Sequence, residues 1–533
     1  MGSSSSSINQ ETRQRYDSMP YGNLAHTFSA PENTAAVAAL FGVPGAGMTG
    51  ARVLELGCAA GFNLIPFALR QPGAHCVGLD LSGVQIATGQ AVVEKLGLTN
   101  VTLREADLLE VDPETLGQFD YIVAHGLYSW VPPAVQQAMF DIIARCLAPE
   151  GVAYVSYNVY PGWKAREVLR DAMLLYAGHE SDVPRQVAGA RSMVEFLLRA
   201  GSGNPNHPLA PLREHLEKAH AASFEYVAHE YLEPYNLPCY FREFVERAGQ
   251  HGLSYLAEAQ VSMMFPMNYG EDVASWMRGV AGNDPVLLGQ YMDFVVNRTF
   301  RQTLLVHSDR ARGLTWKPDR KALAGLHVGA RLRCVDGALR MDGSVQQFET
   351  PANQRMGVAL SALKHAMLRL AQVFPGTQSR EELIDFALQA QSGAKDAVAR
   401  EVLEQAIDEL LEQLVVRGMG RAWQVRVDAG RGDSDRPVVD PVVRKLVAVT
   451  PETPCLMSNA WNDTVEMTPL ERELILKLDG SMDRAAIVAF VGELIATGKI
   501  GLRAGMAGGP KEQAEAAANA VLNRMAYKGF LAG

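Results

Sequence analysis

The sequence predicts an α/β fold: a doubly wound, mainly parallel sheet followed by mostly helical middle and C-terminal domains. Three observations predict it. Short apolar runs alternate with helical stretches from about Ala51 onward, a glycine-rich turn follows the first run, and acidic residues close the second and third. Arg52-Val-Leu-Glu-Leu56 is the first strand, with a helical stretch from Asn63 to Arg70 behind its glycines. His75-Cys-Val-Gly-Leu-Asp80 is the second, followed by a helix through Gly97. Val101 to Ala106 forms the third strand and Phe119 to Ala124 the fourth. Gln136 to Leu147 predicts a helix, because Met139, Ile142, Ile143 and Leu147 recur at helical spacing. Gly151 to Tyr157 is the fifth strand. In such sheets ligands sit beyond the carboxyl ends of the strands.

Beyond Trp163 the texture changes. Residues 164–300 are mostly helical, with a Gly/Pro/Asn-rich break at Gly201 to Pro211. Strand-like alternation returns around Arg312 to Val345, residues 356–418 are again helical, and Gly430 to Pro437 has the composition of a linker. Three helices follow, at Thr468–Leu478, Met482–Ala496 and Pro510–Lys528. The two C-terminal blocks are loosely alike, as in a weak duplication of a winged-helix-like unit. The expected layout is a disordered tail at 1–15, a ligand-binding sheet domain at 16–175 and a helical middle domain at 176–310. A helical domain with short strands at 311–430 and a winged-helix-like domain at 438–533 complete it.

Composition bounds the function. A length of 533 residues allows about three to four domains. Hydrophobic residues at 48% and charged residues at 20% describe an ordinary globular chain. The formal net charge of -10 argues against a nucleic-acid or anionic-membrane binder, and neither last helix carries a basic stripe. No apolar run approaches the ~18 residues of a membrane span. The cysteines Cys58, Cys76, Cys146, Cys239, Cys334 and Cys455 are scattered singly, which suits neither a disulfide framework nor a zinc site and fits a reducing, cytoplasmic setting.

Two glycine patterns compete for the chemistry. Gly45-Ala-Gly47-Met-Thr-Gly50 matches a dinucleotide fingerprint in form, but it precedes a strand where the fingerprint must follow one, so it is a loop. Glu55-Leu-Gly57-Cys-Ala-Ala-Gly61-Phe-Asn63 sits where a binding loop belongs, directly after the first strand. In register behind it, Asp80 ends the second strand, where an acid accepts hydrogen bonds from the ribose hydroxyls of an adenosyl group. Asp107 follows the third strand and can meet an adenine amino group, while His125-Gly126 closes the fourth. Singly, Asp80 could be a helix-capping acid and Asp107 a turn former. Together, at successive strand ends, they describe one crevice.

Residues 52–163 resemble a class I S-adenosylmethionine-dependent methyltransferase with a Rossmann-like sheet. Phe224-Glu-Tyr-Val-Ala-His229-Glu-Tyr231-Leu, Pro238-Cys-Tyr-Phe-Arg-Glu-Phe, Gly252-Leu-Ser-Tyr-Leu-Ala-Glu-Ala and the stretch from Tyr291 to Leu305 resemble the methyltransferase regulatory domain. That pairing is typical of the rickettsial-type protein lysine methyltransferases, which modify outer-membrane proteins. The lead-in Tyr16-Asp-Ser-Met-Pro-Tyr21 is similar as well. The resemblance implies S-adenosylmethionine as cofactor. It places cofactor contacts at Tyr16, Tyr21, Glu55, Gly57, Cys58, Ala59, Gly61, Asn63, Asp80, Leu81, Ala106, Asp107, His125 and Gly126. His26 is a further candidate for a cofactor or proton contact.

On the acceptor side, Ser156-Tyr-Asn158-Val-Tyr160-Pro-Gly-Trp163 lies at the end of the fifth strand. Methyl transfer from a sulfonium is an in-line displacement, so the enzyme's work is alignment and desolvation. The nucleophile is a neutral amine, and deprotonating a free lysine at pH 7 costs about 4.6 kcal/mol. The Asn158 amide can orient an amine, and Tyr160 and Trp163 can flank an alkylammonium. The same string also reads as a rigid turn with buried aromatics. The resemblance turns the segment bearing His229 and Tyr231 toward the acceptor; His229-Glu230 begins a zinc motif, but its next required position is Glu233, so no metal site is expected. The partner implied is a protein presenting lysine, or else a small amine, with a homodimer suggested by the resemblance. A catalytically silent fold used as a binding module is the remaining alternative.

Overall fold

The structure is a computed structural model that describes residues 24–335, 337–391, 398–451, 456–501 and 509–533, together with Arg13, Asp17 and Gly22. The expected tail at 1–15 lies, apart from Arg13, outside the described residues.

The first five strands form where the apolar runs predict them: β1 (Arg52–Leu56), β2 (His75–Asp80), β3 (Val101–Glu105), β4 (Phe119–Ala124) and β5 (Leu147–Asn158). All pair in parallel. β1 is buried from Val53 to Leu56, the continuous burial of a strand covered on both faces. Helices cover it as expected. The Gly83–Leu96 helix starts where Ser82 Oγ accepts the Gln85 N–H, and it ends at Gly97, whose φ of 64° suits a left-handed cap. The helix predicted from Gln136 begins earlier, at Pro133, where a proline in the first turn loses no hydrogen bond. It buries Met139, Phe140, Ile142, Ile143 and Cys146.

The sheet does not stop at β5. Its order is β3-β2-β1-β4-β5-β7-β6, with β6 (Leu253–Glu258) and β7 (Phe300–His307) both antiparallel to their neighbours. Both strands come from the 176–310 segment expected to be a separate helical domain. Each is a short apolar run between helices, and local periodicity cannot reveal a partner more than a hundred residues upstream. A buried ionic cluster fastens this edge. Asp293 pairs with Arg298 at 2.7 Å and with Arg301 at 2.9 Å; Arg301 also meets Glu258 and lies 3.6 Å from the Phe241 ring centroid. The side chains of Glu258, Asp293, Arg298 and Arg301 are each at most 4% exposed. All four lie in the stretches that resemble the regulatory domain, and their role here is packing β6 and β7.

Helices Trp163–Ala177, Val183–Ala200, Arg213–Ala221 and Phe224–Tyr231 form a lobe of their own around Leu169, Met173, Val187, Val194, Leu216 and Val227. Beyond residue 311 the expected helices appear at Ser361–Val373, Arg380–Ala390 and Arg400–Val416, and then at Pro469–Lys477, Arg484–Ala496 and Pro510–Tyr527. Not expected were the helices Pro31–Leu40 and Pro441–Val449 and the hairpin of strands Leu456–Ser458 and Thr464–Glu466. One buried apolar cluster runs from Ala35 through Leu256, Leu370 and Leu474 to Leu531, so these parts share a core. The stretch Gly430 to Pro437 is therefore no free linker. Gly430 N–H donates to the Leu531 carbonyl at 2.9 Å, and Arg484 Nε donates to the Ser434 carbonyl at 2.9 Å. Its Gly, Asp and Ser residues make turns, and turns can be tied down as firmly as helices when partners reach them.

Candidate cofactor and methyl-acceptor site

The loop after β1 takes a conformation that only its sequence allows. Gly57 and Gly61 have φ of 73° and 75°, and a Cβ at Gly61 would come within 3.0 Å of Leu103. Ala59 also sits at positive φ, 49°, a strained setting for a side-chain residue. Asp80 explains it: its Oδ2 accepts the Ala59 N–H at 2.8 Å while its Oδ1 accepts the Ser82 N–H at 2.9 Å. Gly57 and Cys58 N–H groups both donate to the Leu79 carbonyl, so the end of β2 holds the loop of β1. Burial pushes the Asp80 carboxyl up, against the N–H donors of Ser82 and Ala59. A carboxylate has about four acceptor positions, and the backbone N–H groups of Ala59, Ser82 and Leu81 do not fill them all, so Asp80 can still accept from a ribose hydroxyl.

Glu55 is 3% exposed and Asn63 is 8% exposed. Asn63 Nδ2 donates to Glu55 Oε1 at 2.8 Å, whereas Glu55 Oε2 is buried without a hydrogen-bond partner among the described residues. Burial raises the Glu55 carboxyl to about 8, with the Asn63 hydrogen bond opposing the shift. A buried carboxylate oxygen with no donor is costly and asks for one. The α-amino group of S-adenosylmethionine is such a donor, so these residues fit the cofactor.

The remaining cofactor candidates line up along the strand ends. Ala106 N–H donates to the Asp80 carbonyl at 2.8 Å, which brings Asp107 beside Asp80. Asp107 Oδ1 accepts the Leu109 N–H at 3.0 Å, so it also forms the turn that its residue type suggests. Leu81 is half-buried beside Asp80. Cys58 is buried against Gly78, and burial pushes its thiol well up, which leaves a packing residue rather than a nucleophile. His125 stacks on His26 with ring centroids 3.6 Å apart, and its Nδ1 lies 2.9 Å from Tyr154 Oη. Burial lowers His26 to about 4 and His125 well below the usual histidine range, so both rings are neutral. Gly126 N–H donates to Ser156 Oγ and ties β4 to β5. Tyr16 and Tyr21 lie outside the described residues.

The five acceptor-side candidates do not gather in one place. Asn158 is buried at the end of β5; its N–H donates to Ser129 Oγ at 2.8 Å and its Nδ2 to Asn236 Oδ1 at 3.0 Å. Asn236 Nδ2 is buried with no hydrogen-bond partner among the described residues. Asn236 had not been singled out in the sequence; its only signal is its place just after the His229-Glu-Tyr-Leu string. Tyr160 Oη donates to Glu167 Oε1 at 2.5 Å, and the ammonium of Lys164 lies 3.7 Å from the Tyr160 ring centroid. The aromatic face expected for a substrate thus already holds a cation of the chain. Trp163 is 0% exposed and packs edge-on to Trp130, so its ring is walled into the core rather than presented to a ligand. His229 Nδ1 lies 3.2 Å from Glu233 Oε1, and Tyr231 lines a cavity of about 400 Å³ with Arg166, His215, Lys218 and Tyr226. Those two belong to the helical lobe. The chain then returns from Tyr231 to β5, where Leu237 N–H donates to the Ser129 carbonyl and Cys239 N–H to the Asn158 carbonyl. Among the described residues no group of three His, Cys, Asp or Glu could hold a metal ion.

Comparison with known proteins identifies the domains. Residues 53–151 match a methyltransferase domain, residues 223–307 the predicted methyltransferase regulatory domain, and residues 435–529 the PKMT C-terminal winged helix domain. The chain is 38% identical over 299 residues to the uncharacterised protein RP789 of Rickettsia prowazekii, a match spanning 55% of this chain and 53% of that protein. It is 32% identical over 242 residues to RP028 of the same organism, covering 45% of this chain and 96% of that protein. The chain thus spans about half the length of the first relative (53%) and nearly all of the second (96%). PKMT2 from Rickettsia typhi superposes with a TM-score of 0.84 at 25% identity, covering 96% of this chain and 100% of that one, and the same values hold for its complex with AdoHcy. With the Glu55, Asp80 and glycine-loop constellation in place, the chain belongs to the class I S-adenosylmethionine-dependent methyltransferases of the rickettsial type, the family that joins a regulatory domain and a PKMT winged-helix domain to the catalytic sheet.

Proposed function

We propose that this chain methylates lysine side chains of proteins, using S-adenosylmethionine. The observation that carries the reading is the match to PKMT2 over 96% of the chain, and the glycine loop held by Asp80 and the buried Glu55–Asn63 pair support it. When bound, the cofactor supplies a methyl group on a sulfonium. Glu55 Oε2 would hold its amino group and Asp80 its ribose hydroxyls, with the glycine loop leaving room for it between them.

At the acceptor end the chain's task is to keep an amine neutral and aimed. Asn158 is 4%, Ser129 1% and Cys239 2% exposed, so an amine entering there leaves water behind. Desolvation lowers an amine's pKa and offsets part of the roughly 4.6 kcal/mol deprotonation cost. The Asn158 amide and the main-chain carbonyls beside it orient the lone pair. The Tyr160 ring, with Lys164 on its face, is the entrance at which an incoming ammonium exchanges with the resident one. The net charge of -10 favours approach of lysine-rich partners. A homodimer belongs to the same reading, supported by the exposed Val168, Leu175 and Tyr176 on one helix and Phe196 on the next; a monomeric mass in solution would remove it.

The test is transfer of labelled methyl into a fractionated bacterial lysate, followed by mass spectrometry. Methylated lysine Nζ in proteins is the expected product. Label confined to low-mass species would overturn the protein-lysine reading in favour of a small amine, and absence of any S-adenosylhomocysteine binding would remove the enzyme altogether.

A further inference from the structure

The C-terminal hairpin reaches the cofactor loop. Its turn, residues 459–463, is rigid: Asn459 Oδ1 accepts the N–H groups of Trp461 at 2.9 Å and Asp463 at 3.0 Å, and Trp461 Nε1 donates to the Pro375 carbonyl at 2.7 Å. From this hairpin three contacts go to the segment before the Pro31–Leu40 helix. Thr464 Oγ1 donates to the Ala25 carbonyl at 2.9 Å and accepts the Ala25 N–H at 2.8 Å, and Thr27 Oγ1 donates to the Trp461 carbonyl at 2.6 Å. A fourth goes into the cofactor loop itself, where Asn462 Nδ2 donates to Asn63 Oδ1 at 3.1 Å across 399 residues of sequence.

Asn63 uses every hydrogen-bonding position of its amide. Oδ1 accepts from the His26 N–H at 2.9 Å and from Asn462. Nδ2 donates to Ser29 Oγ at 3.0 Å and to Glu55 Oε1 at 2.8 Å. An amide can flip, and a flipped Asn63 would turn its carbonyl toward the Glu55 carboxyl and leave Glu55 without its donor. The two N–H donors on Oδ1 are what forbid the flip, and one of them comes from the C-terminal domain. Asn462 is itself fixed by Ser458 Oγ, which donates to its Oδ1 at 3.1 Å.

We propose that Asn462 is a positioning residue of the cofactor site: by fixing the Asn63 amide it sets Glu55 so that one carboxylate oxygen stays available for the cofactor's amino group. The winged-helix domain is on this account a structural part of the cofactor pocket. The inference rests on the S-adenosylmethionine reading above.

The test is calorimetric titration of the full chain with S-adenosylhomocysteine, for wild type, Asn462→Gly, Asn63→Ala and the double variant. Asn462 has φ of 55°, so glycine removes the side chain without straining the backbone. Asn462→Gly should weaken binding about fivefold, the worth of one buried hydrogen bond. It should raise the KM for the cofactor and leave kcat unchanged. On an Asn63→Ala background it should add nothing, because both act through one amide. Asn462→Asp keeps the turn but sets an acceptor against Asn63 Oδ1, and should weaken binding at least as much. Wild-type affinity in a folded Asn462→Gly or Asn462→Asp chain overturns the inference, as does full additivity with Asn63→Ala. Failure of wild type to bind S-adenosylhomocysteine would instead strike at the cofactor reading, so the two failures are distinguishable.

Discussion

Two buried carboxylate clusters stand in the same sheet, and they are built to opposite ends. At the β6–β7 edge, Glu258 and Asp293 face Arg298 and Arg301, and both acids are paired with guanidinium. At the carboxyl end of β1, Glu55 has one oxygen on Asn63, while the other has no partner and no cation among the described residues. The first cluster closes on itself and serves packing. The second is left one donor short, and its carboxyl is raised to about 8 by burial. The first cluster balances its charges internally, whereas the second has an open acceptor that the proposed cofactor would fill.

The comparison can be broken at several points. Asp293→Ala leaves two buried guanidinium groups without their shared acid and should cost about 3–5 kcal/mol of stability, measured by urea unfolding. Affinity for S-adenosylhomocysteine in whatever remains folded should stay near wild type. Asp80→Ala should lower that affinity roughly a hundredfold, since two charge-assisted hydrogen bonds are lost.

Glu55→Gln should change the pH profile more than the fold. Only the ionised carboxylate attracts the cofactor's ammonium, so wild-type binding should tighten as pH rises, by up to about tenfold per pH unit until pH 8, and the variant should show a flat profile. The stability sign runs the other way. The folded chain holds the Glu55 proton more tightly than the unfolded one, so this contribution is full below the ordinary carboxyl value and is lost as pH rises toward 8. His26 acts oppositely, because its folded value is depressed to about 4. The unfolded chain takes up the proton first, so stability falls as pH drops from 6.5 toward 4, and His26→Phe should flatten that arm of a melting-temperature profile. The smallest effect expected is Lys164→Ala. Freeing the Tyr160 ring should lower the acceptor KM about two- to fivefold, read in initial-rate assays.

How much was legible follows from distance along the chain. Glu55, Gly57, Gly61, Asn63 and Asp80 lie within two strands and one loop, and the spacing of strand, glycines and terminal acid exposes them directly. The proposed acceptor end draws on Ser129, Asn158, Asn236 and Cys239, with 78 residues between the two asparagines that touch. No local pattern announces such a contact. Trp163 shows the same limit from the other side. An aromatic after a strand end looks the same in sequence whether it flanks a ligand or, as here, packs on Trp130 with no exposure.

By itself the sequence determined the five parallel strands, the cofactor loop and most of the C-terminal helices, because strand alternation, helical period and a glycine loop are properties of short windows; the class of cofactor came from the family resemblance that those motifs carry. The tertiary structure decided the rest: that β6 and β7 complete the sheet, that Gly430 to Pro437 is packed, and that a hairpin nearly four hundred residues away closes on Asn63. Each of these depends on which polar and apolar groups find partners once the core has formed. A buried amide or carboxyl must be satisfied by whatever the fold brings to it, wherever in the chain that group resides.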